Sequence, residues 1–151
     1  MAVSSHLTDC VKTIRVINSV SAGTTDADTS VVDMSGYDAA RFIWLLGDVT
    51  VNSVVTATMY GNSASSTSSP TPTSVIATTA YTATATDADN KALITDCITP
   101  ANRYVFGRLT RTAANAVIDG CICELYRARS IPITADSTVL AQAKDVEGGV
   151  A

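Results

Sequence analysis

The sequence is poor in aromatic residues, in histidine and in long apolar runs. Aromatics make up 5% of the 151 residues, and His6 is the single histidine. No apolar run reaches the roughly eighteen residues that predict a transmembrane helix, so we expect no membrane partner. The first ten residues have neither a basic start nor an apolar stretch, and they are not expected to act as a secretory signal. We therefore expect the chain to fold in a reducing cytoplasm.

Basic residues are also scarce. Ten Lys and Arg residues stand against fourteen Asp and Glu residues, which gives a formal net charge of −4 and a pI near 4.7. Several arginines lie between residues 103 and 129, but no groove-sized stretch interleaves them with aromatic residues. An acidic chain of this kind is a poor nucleic-acid binder, and we predict no nucleic-acid partner.

Signatures of catalysis and of cofactor binding are missing from the sequence. A Ser-His-Asp triad would have to recruit His6 from a tail, and neither a Gly-x-Ser-x-Gly elbow nor a phosphate-binding glycine loop occurs. The sequence Thr-Asp-Ala-Asp occurs twice, at residues 25–28 and 86–89. Calcium binding and ordinary turn formation are the two alternatives for these carboxylates, and the spacing is not that of an EF-hand. We predict no enzymatic activity, no catalytic residues, no metal site and no cofactor.

The four cysteines are Cys10, Cys97, Cys121 and Cys123. Cys121 and Cys123 stand two apart in a predicted strand, so they share a face about 6.5–7 Å apart, which is poor disulfide geometry. A Cys-x-Cys pair without a neighbouring histidine is also a weak zinc motif. We expect small, buried, reduced side chains, with a disulfide or a metal as the alternatives.

The sequence is rich in β-branched residues with strand periodicity. Phe42–Leu46 is a run of five apolar residues bounded by turn residues, and it contains the only tryptophan. Such a run predicts a strand that is buried on both faces. Residues 51–60 alternate between apolar and polar side chains, which predicts a strand with one wet face. We expect these two strands to pair as a hairpin across residues 47–50, and residues 103–111 to pair with 117–126 as a second hairpin.

Further strands are predicted at regular spacing along the chain, at residues 12–20, 30–34, 75–81 and 92–98. Polar stretches at residues 21–28 and 82–90 are expected to be turns, and residues 61–74, rich in Ser, Thr and Pro, a solvated loop. The pattern gives about eight strands with a turn signal every 8–12 residues. It predicts an all-β fold, an antiparallel β-sandwich or jelly-roll-like domain with extended N- and C-terminal arms.

The two ends of the chain lack the alternating apolar face of the strands. We therefore divide the sequence into an N-terminal arm, a β-sandwich domain and a C-terminal arm, at residues 1–10, 11–127 and 128–151. Ordering an arm costs about 1–2 kcal/mol per residue, which burial against a partner would offset. The predicted interaction residues are the larger apolar side chains of the C-terminal arm, Ile131, Ile133, Val139 and Leu140.

Four segments of the chain carry a resemblance to a known protein family. They are residues 14–20 (Ile-Arg-Val-Ile-Asn-Ser-Val), 31–38 (Val-Val-Asp-Met-Ser-Gly-Tyr-Asp), 103–105 and 110–120, followed by a tail rich in Thr, Ala and Val. Over residues 14 to about 145 the chain resembles the capsid decoration, or cement, proteins of tailed bacteriophages. The resemblance implies a β-sandwich or jelly roll without catalytic residues. Such a protein binds the outside of an icosahedral shell and clamps neighbouring major capsid subunits.

The resemblance also implies partners and a location. The partners would be the major capsid protein and the chain itself, as a homodimer or homotrimer. The location would be the capsid surface of the virion, after synthesis in the host bacterial cytoplasm. The alternative is a virion-associated receptor- or glycan-binding head or tail protein, which would use exposed aromatics such as Tyr60 and Tyr81 beside loop 61–74 to bind a host ligand. A minor hydrolase is the third class.

Overall fold

The computed structural model describes residues 6–68 and 74–145, and their fold is nearly all β. Within these residues a single helical turn, α1 (Leu7–Cys10), precedes ten strands. The strands are β1 (Lys12–Ile17), β2 (Val20–Gly23), β3 (Ala27–Asp28), β4 (Val32–Asp33), β5 (Tyr37–Val49), β6 (Val54–Asn62), β7 (Ser74–Thr82), β8 (Ala92–Ile98), β9 (Tyr104–Thr112) and β10 (Ala116–Ala128). In this part of the chain no helix has the length and hydrophobicity needed to cross a membrane. The predicted all-β class is confirmed.

The strands form two antiparallel sheets that pack as a sandwich. The first sheet has the order β1-β10-β5-β8 with β2 also paired to β10, and the second has the order β3-β9-β6-β7 with β4 also paired to β9. The pairs are nested, because β6 pairs with β7, β5 with β8, the β3–β4 segment with β9, and β1 with β10. The chain is thus one long hairpin with its tip between β6 and β7. Rolling this hairpin up places successive pairs in alternate sheets, which is the winding of a jelly roll.

Both predicted local hairpins are wrong. β5 lies in the first sheet and β6 in the second, so residues 50–53 carry the chain across the sandwich. Residues 113–115 likewise carry the chain across the sandwich, from β9 in the second sheet to β10 in the first. The two connecting segments are joined by a hydrogen bond of 2.9 Å from Thr50 N to Asn115 O. Residues 47–48, interpreted as a turn, lie inside β5 at an irregularity in its pairing with β10. A period of two identifies the face of a strand but not its partner.

The core lies between the two sheets and is centred on β5. Phe42 and Trp44 are fully buried there, as predicted for the tryptophan. A Cβ atom at Gly107 of β9 would lie 3.1 Å from Phe42 Cδ1 and 3.2 Å from Trp44 Cζ2, so a larger residue there would have to displace these rings. The prediction that this run is buried on both faces is wrong, since Leu45 is 40% exposed. A two-layer sandwich covers only one side of each strand.

Residues 18–31 differ most from the predicted strands and turns. The predicted strand at 12–20 is broken into β1 and β2, and the predicted turn at 21–28 contains part of β2 and all of β3. Arg111 of β9, only 1% exposed, holds this region together. Its guanidinium donates to Ser21 O at 2.9 Å, Thr25 O at 2.9 Å and Ala116 O at 2.6 Å. A buried arginine therefore satisfies main-chain carbonyls that the short strands leave unpaired.

The predicted loop at residues 61–74 begins later than expected. Gly61 and Asn62 close β6 and are buried, and the Asn62 amide donates to Ser66 O at 2.7 Å. Residues 69–73 lie outside the described residues. The same holds for residues 1–5 of the predicted N-terminal arm and 146–151 of the predicted C-terminal arm.

Candidate interaction surface

The outer face of the first sheet carries apolar side chains in adjacent registers. Ile94, Ile43 and Ile122 stand side by side on β8, β5 and β10. Leu45 and Ile98 flank this row on the same face, and we call these five residues the isoleucine face. Leu45, Ile94 and Ile98 are 40%, 50% and 53% exposed. Exposed apolar side chains grouped on one face of a sheet make this face a candidate interaction surface.

A row of polar side chains crosses the isoleucine face. Arg41 Nε donates to Glu124 Oε2 at 3.0 Å, and the Tyr126 hydroxyl donates to Asp96 Oδ1 at 2.5 Å. Burial, together with the hydrogen bond to Asp96, raises the pKa of Tyr126 to about 12, so its hydroxyl is neutral at physiological pH. The row thus presents one cation, two anions and a hydroxyl within an apolar surrounding. In protein interfaces in general, polar groups of this kind fix the register of the two partners and apolar side chains supply contact area.

The outer face of the second sheet is chemically different. Its central rows carry Thr56, Thr58, Thr78, Thr110 and Thr112 on β6, β7 and β9. Thr58 and Thr78 are paired across the strands, with their Oγ1 atoms 3.1 Å apart. We call this surface the threonine face. Thr78 and Thr112 are exposed, and threonine hydroxyls are compatible with contact with water.

One end of the threonine face is closed by an aromatic cluster. The rings of Tyr60 and Phe106 stack with centroids 5.3 Å apart, and the Arg108 guanidinium lies 5.5 Å from the Tyr60 ring centroid. Arg108 also binds both carboxylate oxygens of Asp28, at 2.5 and 2.7 Å. Tyr60 is therefore part of a packed cluster rather than a freely exposed aromatic.

Tyr60 and Tyr81, named together for the receptor-binding alternative, are not neighbours. Tyr81 pairs with Val55 near one end of the β6–β7 ladder, and Tyr60 pairs with Val75 near the other. Five residues of strand separate them, which is about 17 Å. Tyr81 thus lies at the end of the ladder opposite to Gly61 and Ser74, where β6 and β7 meet the loop, and the structure does not bring the two rings into one site.

Three of the four carboxylates in the two Thr-Asp-Ala-Asp motifs accept hydrogen bonds from protein donors. Asp28 is held by Arg108, as described above. Asp87 accepts hydrogen bonds from the Tyr81 hydroxyl at 2.6 Å and from Thr84 Oγ1 at 2.7 Å, which lowers the pKa of its carboxyl. Asp89 Oδ1 accepts a hydrogen bond from Val49 N at 2.8 Å. In the described ranges no group of three or more His, Cys, Asp or Glu side chains is arranged to hold a metal ion.

All four cysteines carry free thiols. Cys121 and Cys123 are buried on the inner side of β10, in register with Trp44 and Phe42. Burial raises the pKa of both thiols, so neither is a ready nucleophile. They pack as small apolar side chains of the core.

The sequence-predicted interaction residues divide into two pairs. Leu140 is fully exposed and Ile131 is 53% exposed. Ile133 and Val139 are half-buried, and they line a cavity of about 180 Å³ against Val11 of the same chain. The first pair is open to a partner, whereas the second is partly used within the chain.

Residues 129–145 contain no helix or strand and pack against the N-terminal segment. Ile133 N donates to Asp9 O at 3.0 Å, and Arg15 N donates to Thr138 Oγ1 at 2.9 Å. Lys144 forms an ion pair with Asp9. The segment thus follows β1, an edge strand of the first sheet.

The C-terminal segment is continuous with the isoleucine face. Val139 lines a cavity of about 350 Å³ together with Leu45 and Ile122. The apolar positions of the segment and those of the sheet therefore border one surface. Sequence reasoning missed the contribution of the sheet, although the alternation of Ile94, Asp96 and Ile98 was a usable signal.

Comparison with models of known protein families and with curated proteins finds no match for this chain. The grounds for a function are therefore the chemistry of these surfaces and the resemblance of the sequence to capsid decoration proteins.

Proposed function

We propose that this protein is a capsid decoration protein, which binds the outer surface of an icosahedral bacteriophage capsid and clamps neighbouring major capsid subunits. In this proposal the isoleucine face and the exposed side chains of the C-terminal segment contact the shell or a second copy of the chain in a homodimer or homotrimer. The threonine face points to solvent. Neither contact with the shell nor contact with a second copy of the chain requires a catalytic group.

The observation that carries the proposal is the difference between the two outer faces. Both sheets are covered on the inside by the same core, so folding alone does not require isoleucine on the outside of either sheet. The first sheet nevertheless exposes Leu45, Ile94 and Ile98 at 40% or more. The second sheet carries threonine at its central outer positions, and its exposed large apolar side chains, Val75 and Tyr81, lie on the edge strand β7. A particle-bound protein has this polarity, because one side is covered and the other stays wet.

A small contact area per copy is enough for a decoration protein to stabilise a shell. A protein that binds only the assembled state stabilises that state by mass action. When one copy touches two subunits, the second contact forms at a high effective concentration. Many small apolar patches of this kind would then raise the temperature at which the shell opens.

The test is a sedimentation assay with shells assembled without this chain. Ile94→Glu puts a charge on the isoleucine face at the edge strand β8, and Ala80→Glu, the control, puts one on β7, an edge strand of the second sheet, beside the threonine face. Both positions are exposed, so both variants should fold. We expect Ile94→Glu to weaken attachment at least about 30-fold, the size of a hot-spot loss of about 2 kcal/mol, and Ala80→Glu to leave it unchanged. Equal attachment of the two variants would place the contact elsewhere.

Removing residues 130–151 tests the contribution of the C-terminal segment. We expect the sandwich to remain folded and attachment to weaken. An image reconstruction of the particle separates decoration from receptor binding, because a cement protein is present in many copies over the shell and a receptor-binding protein in few. A location inside the shell or at the tail tip would refute the proposal.

A further inference from the structure

A concave site lies at one end of the sandwich, next to the Ile98 end of the isoleucine face. The turn between β4 and β5, the connection between β8 and β9, and the residue after β10 surround a cavity of about 470 Å³. We call it the end pocket. Its principal lining residues are Tyr37, Asp38, Thr99, Pro100, Arg103 and Arg129. Its volume falls within the range of about 300–1,000 Å³ that is usual for small-molecule sites.

The charges around the end pocket balance one another. Arg103 binds Asp33 through Nε at 3.0 Å and Nη2 at 2.8 Å, and Arg129 binds Asp38 Oδ1 through Nε at 3.1 Å and Nη2 at 2.9 Å. Among the described residues, none is hydrogen-bonded to the Nη1 group of either arginine or to Asp38 Oδ2. The pocket therefore offers two guanidinium donors and one carboxylate acceptor without a net charge.

The walls of the end pocket are held in place by main-chain hydrogen bonds. Arg129 N donates to Gly36 O at 2.9 Å, and Thr99 N donates to Asp38 O at 2.6 Å. Thr99 has a φ of +54°, a left-handed conformation that is strained for a β-branched residue. Strain of this kind is concentrated at ligand sites, where it preorganises the surrounding groups. The main-chain walls of the pocket would therefore need little further ordering when a ligand binds.

We propose that the end pocket binds the terminal unit of a neutral carbohydrate. Adjacent sugar hydroxyls both accept and donate hydrogen bonds, which matches guanidinium Nη1 groups beside a carboxylate oxygen. The apolar faces of a sugar ring match the flanking Tyr37 and Pro100. An anion would meet the carboxylate of Asp38, and a cation would meet two guanidinium groups, so a neutral ligand fits best. The site does not depend on attachment to a capsid.

The experiment is a titration of the ¹⁵N-labelled full chain, followed by amide chemical shifts. The probes are the methyl α-glycosides of glucose, galactose, mannose and N-acetylglucosamine. For at least one of them we expect saturable shifts at residues 35–38, 99, 101–103 and 129, with a Kd of about 1 mM, at the weak end of the affinity scale. Asp38→Ala should weaken this binding at least tenfold, whereas Asp119→Ala, an equal change of charge on the first sheet, should not.

Three outcomes would overturn the proposal. One is the absence of saturable shifts with all four glycosides. Another is a set of shifts located away from the end pocket, or unaffected by Asp38→Ala. The third is saturation of the same amides by trialanine but by none of the sugars, which would make the pocket a peptide site.

Discussion

Replacing Arg111 with methionine should reveal how much of the fold depends on one buried cation. Methionine has a similar length and remains compatible with the core, so the change removes the hydrogen-bond donors rather than the volume. It leaves three main-chain carbonyls, on Ser21, Thr25 and Ala116, without the donors that now reach them at 2.6–2.9 Å. These carbonyls join the β2–β3 region of the chain to the start of β10.

The expected loss follows from these three acceptors. The Ala116 carbonyl is buried, and an unsatisfied buried acceptor costs about 1–3 kcal/mol. The hydrogen bonds to Ser21 O and Thr25 O are part-buried and contribute about 0.5–1.5 kcal/mol each, so values in the lower half of these ranges give about 3 kcal/mol. Arg111 makes no ion pair within 4.0 Å in the part of the chain that is described, and burial lowers the pKa of its guanidinium. Methionine has no charge to desolvate, so the variant recovers part of the desolvation cost of the buried guanidinium. The expected loss of stability therefore lies in the lower part of the ranges given above. For a domain of this size about 3 kcal/mol corresponds to a fall in Tm of roughly 6–12 °C.

Urea unfolding, followed by the fluorescence of the buried Trp44, measures this loss directly. Arg108→Met is the matched control, because Arg108 is also on β9 but its side chain is 31% exposed and ion-paired with Asp28 at the surface. We expect the control to lose about 1 kcal/mol or less. Equal losses for the two variants, or a loss below about 1 kcal/mol for Arg111→Met, would refute the reasoning.

Three other changes test the core and the polar row. Gly107→Ala should cost about 1–3 kcal/mol by overpacking the core rings, seen as a lower urea midpoint; an unchanged midpoint would contradict this. Cys121 and Cys123 should resist a thiol reagent until the protein unfolds, and rapid modification of all four thiols would show otherwise. Ultraviolet titration should place the pKa of Tyr126 about 12. Since an unfolded tyrosine titrates near 10, stability should fall as pH rises above about 10, and less so in Tyr126→Phe.

The positions of several strands outside residues 18–31 could be predicted from sequence because their signals are local. The alternation in residues 92–98 gives the bounds of β8, and residues 75–81 lie within β7. Alternating burial within a strand is set by neighbouring residues, so a short window of sequence contains the information. The same reasoning placed the only tryptophan in the core.

The pairing of the strands could not be predicted in this way. Lys12 of β1 pairs with Leu125 of β10, and Ala27 of β3 pairs with Leu109 of β9. Such contacts join the two ends of a nested hairpin, and nothing within either strand identifies a partner so far along the chain. The burial of Arg111 could not be predicted from sequence for the same reason. An arginine in an alternating strand is normally interpreted as solvated, and its burial is favourable here because carbonyls of segments distant in sequence accept its hydrogen bonds.

The winding of the chain also explains why the candidate surface was only partly visible in the sequence. The isoleucine face combines residues of β5, β8 and β10, which are far apart in sequence and meet only in the folded sheet. None of its exposed side chains lies in the core, so substitutions there should change stability by about 0.5 kcal/mol or less. Apolar residues that folding does not require, placed together on one side of a sandwich, are most simply explained by a surface that something else covers. The candidate interaction surface is therefore best sought on the outside of the first sheet, with the C-terminal segment as its border.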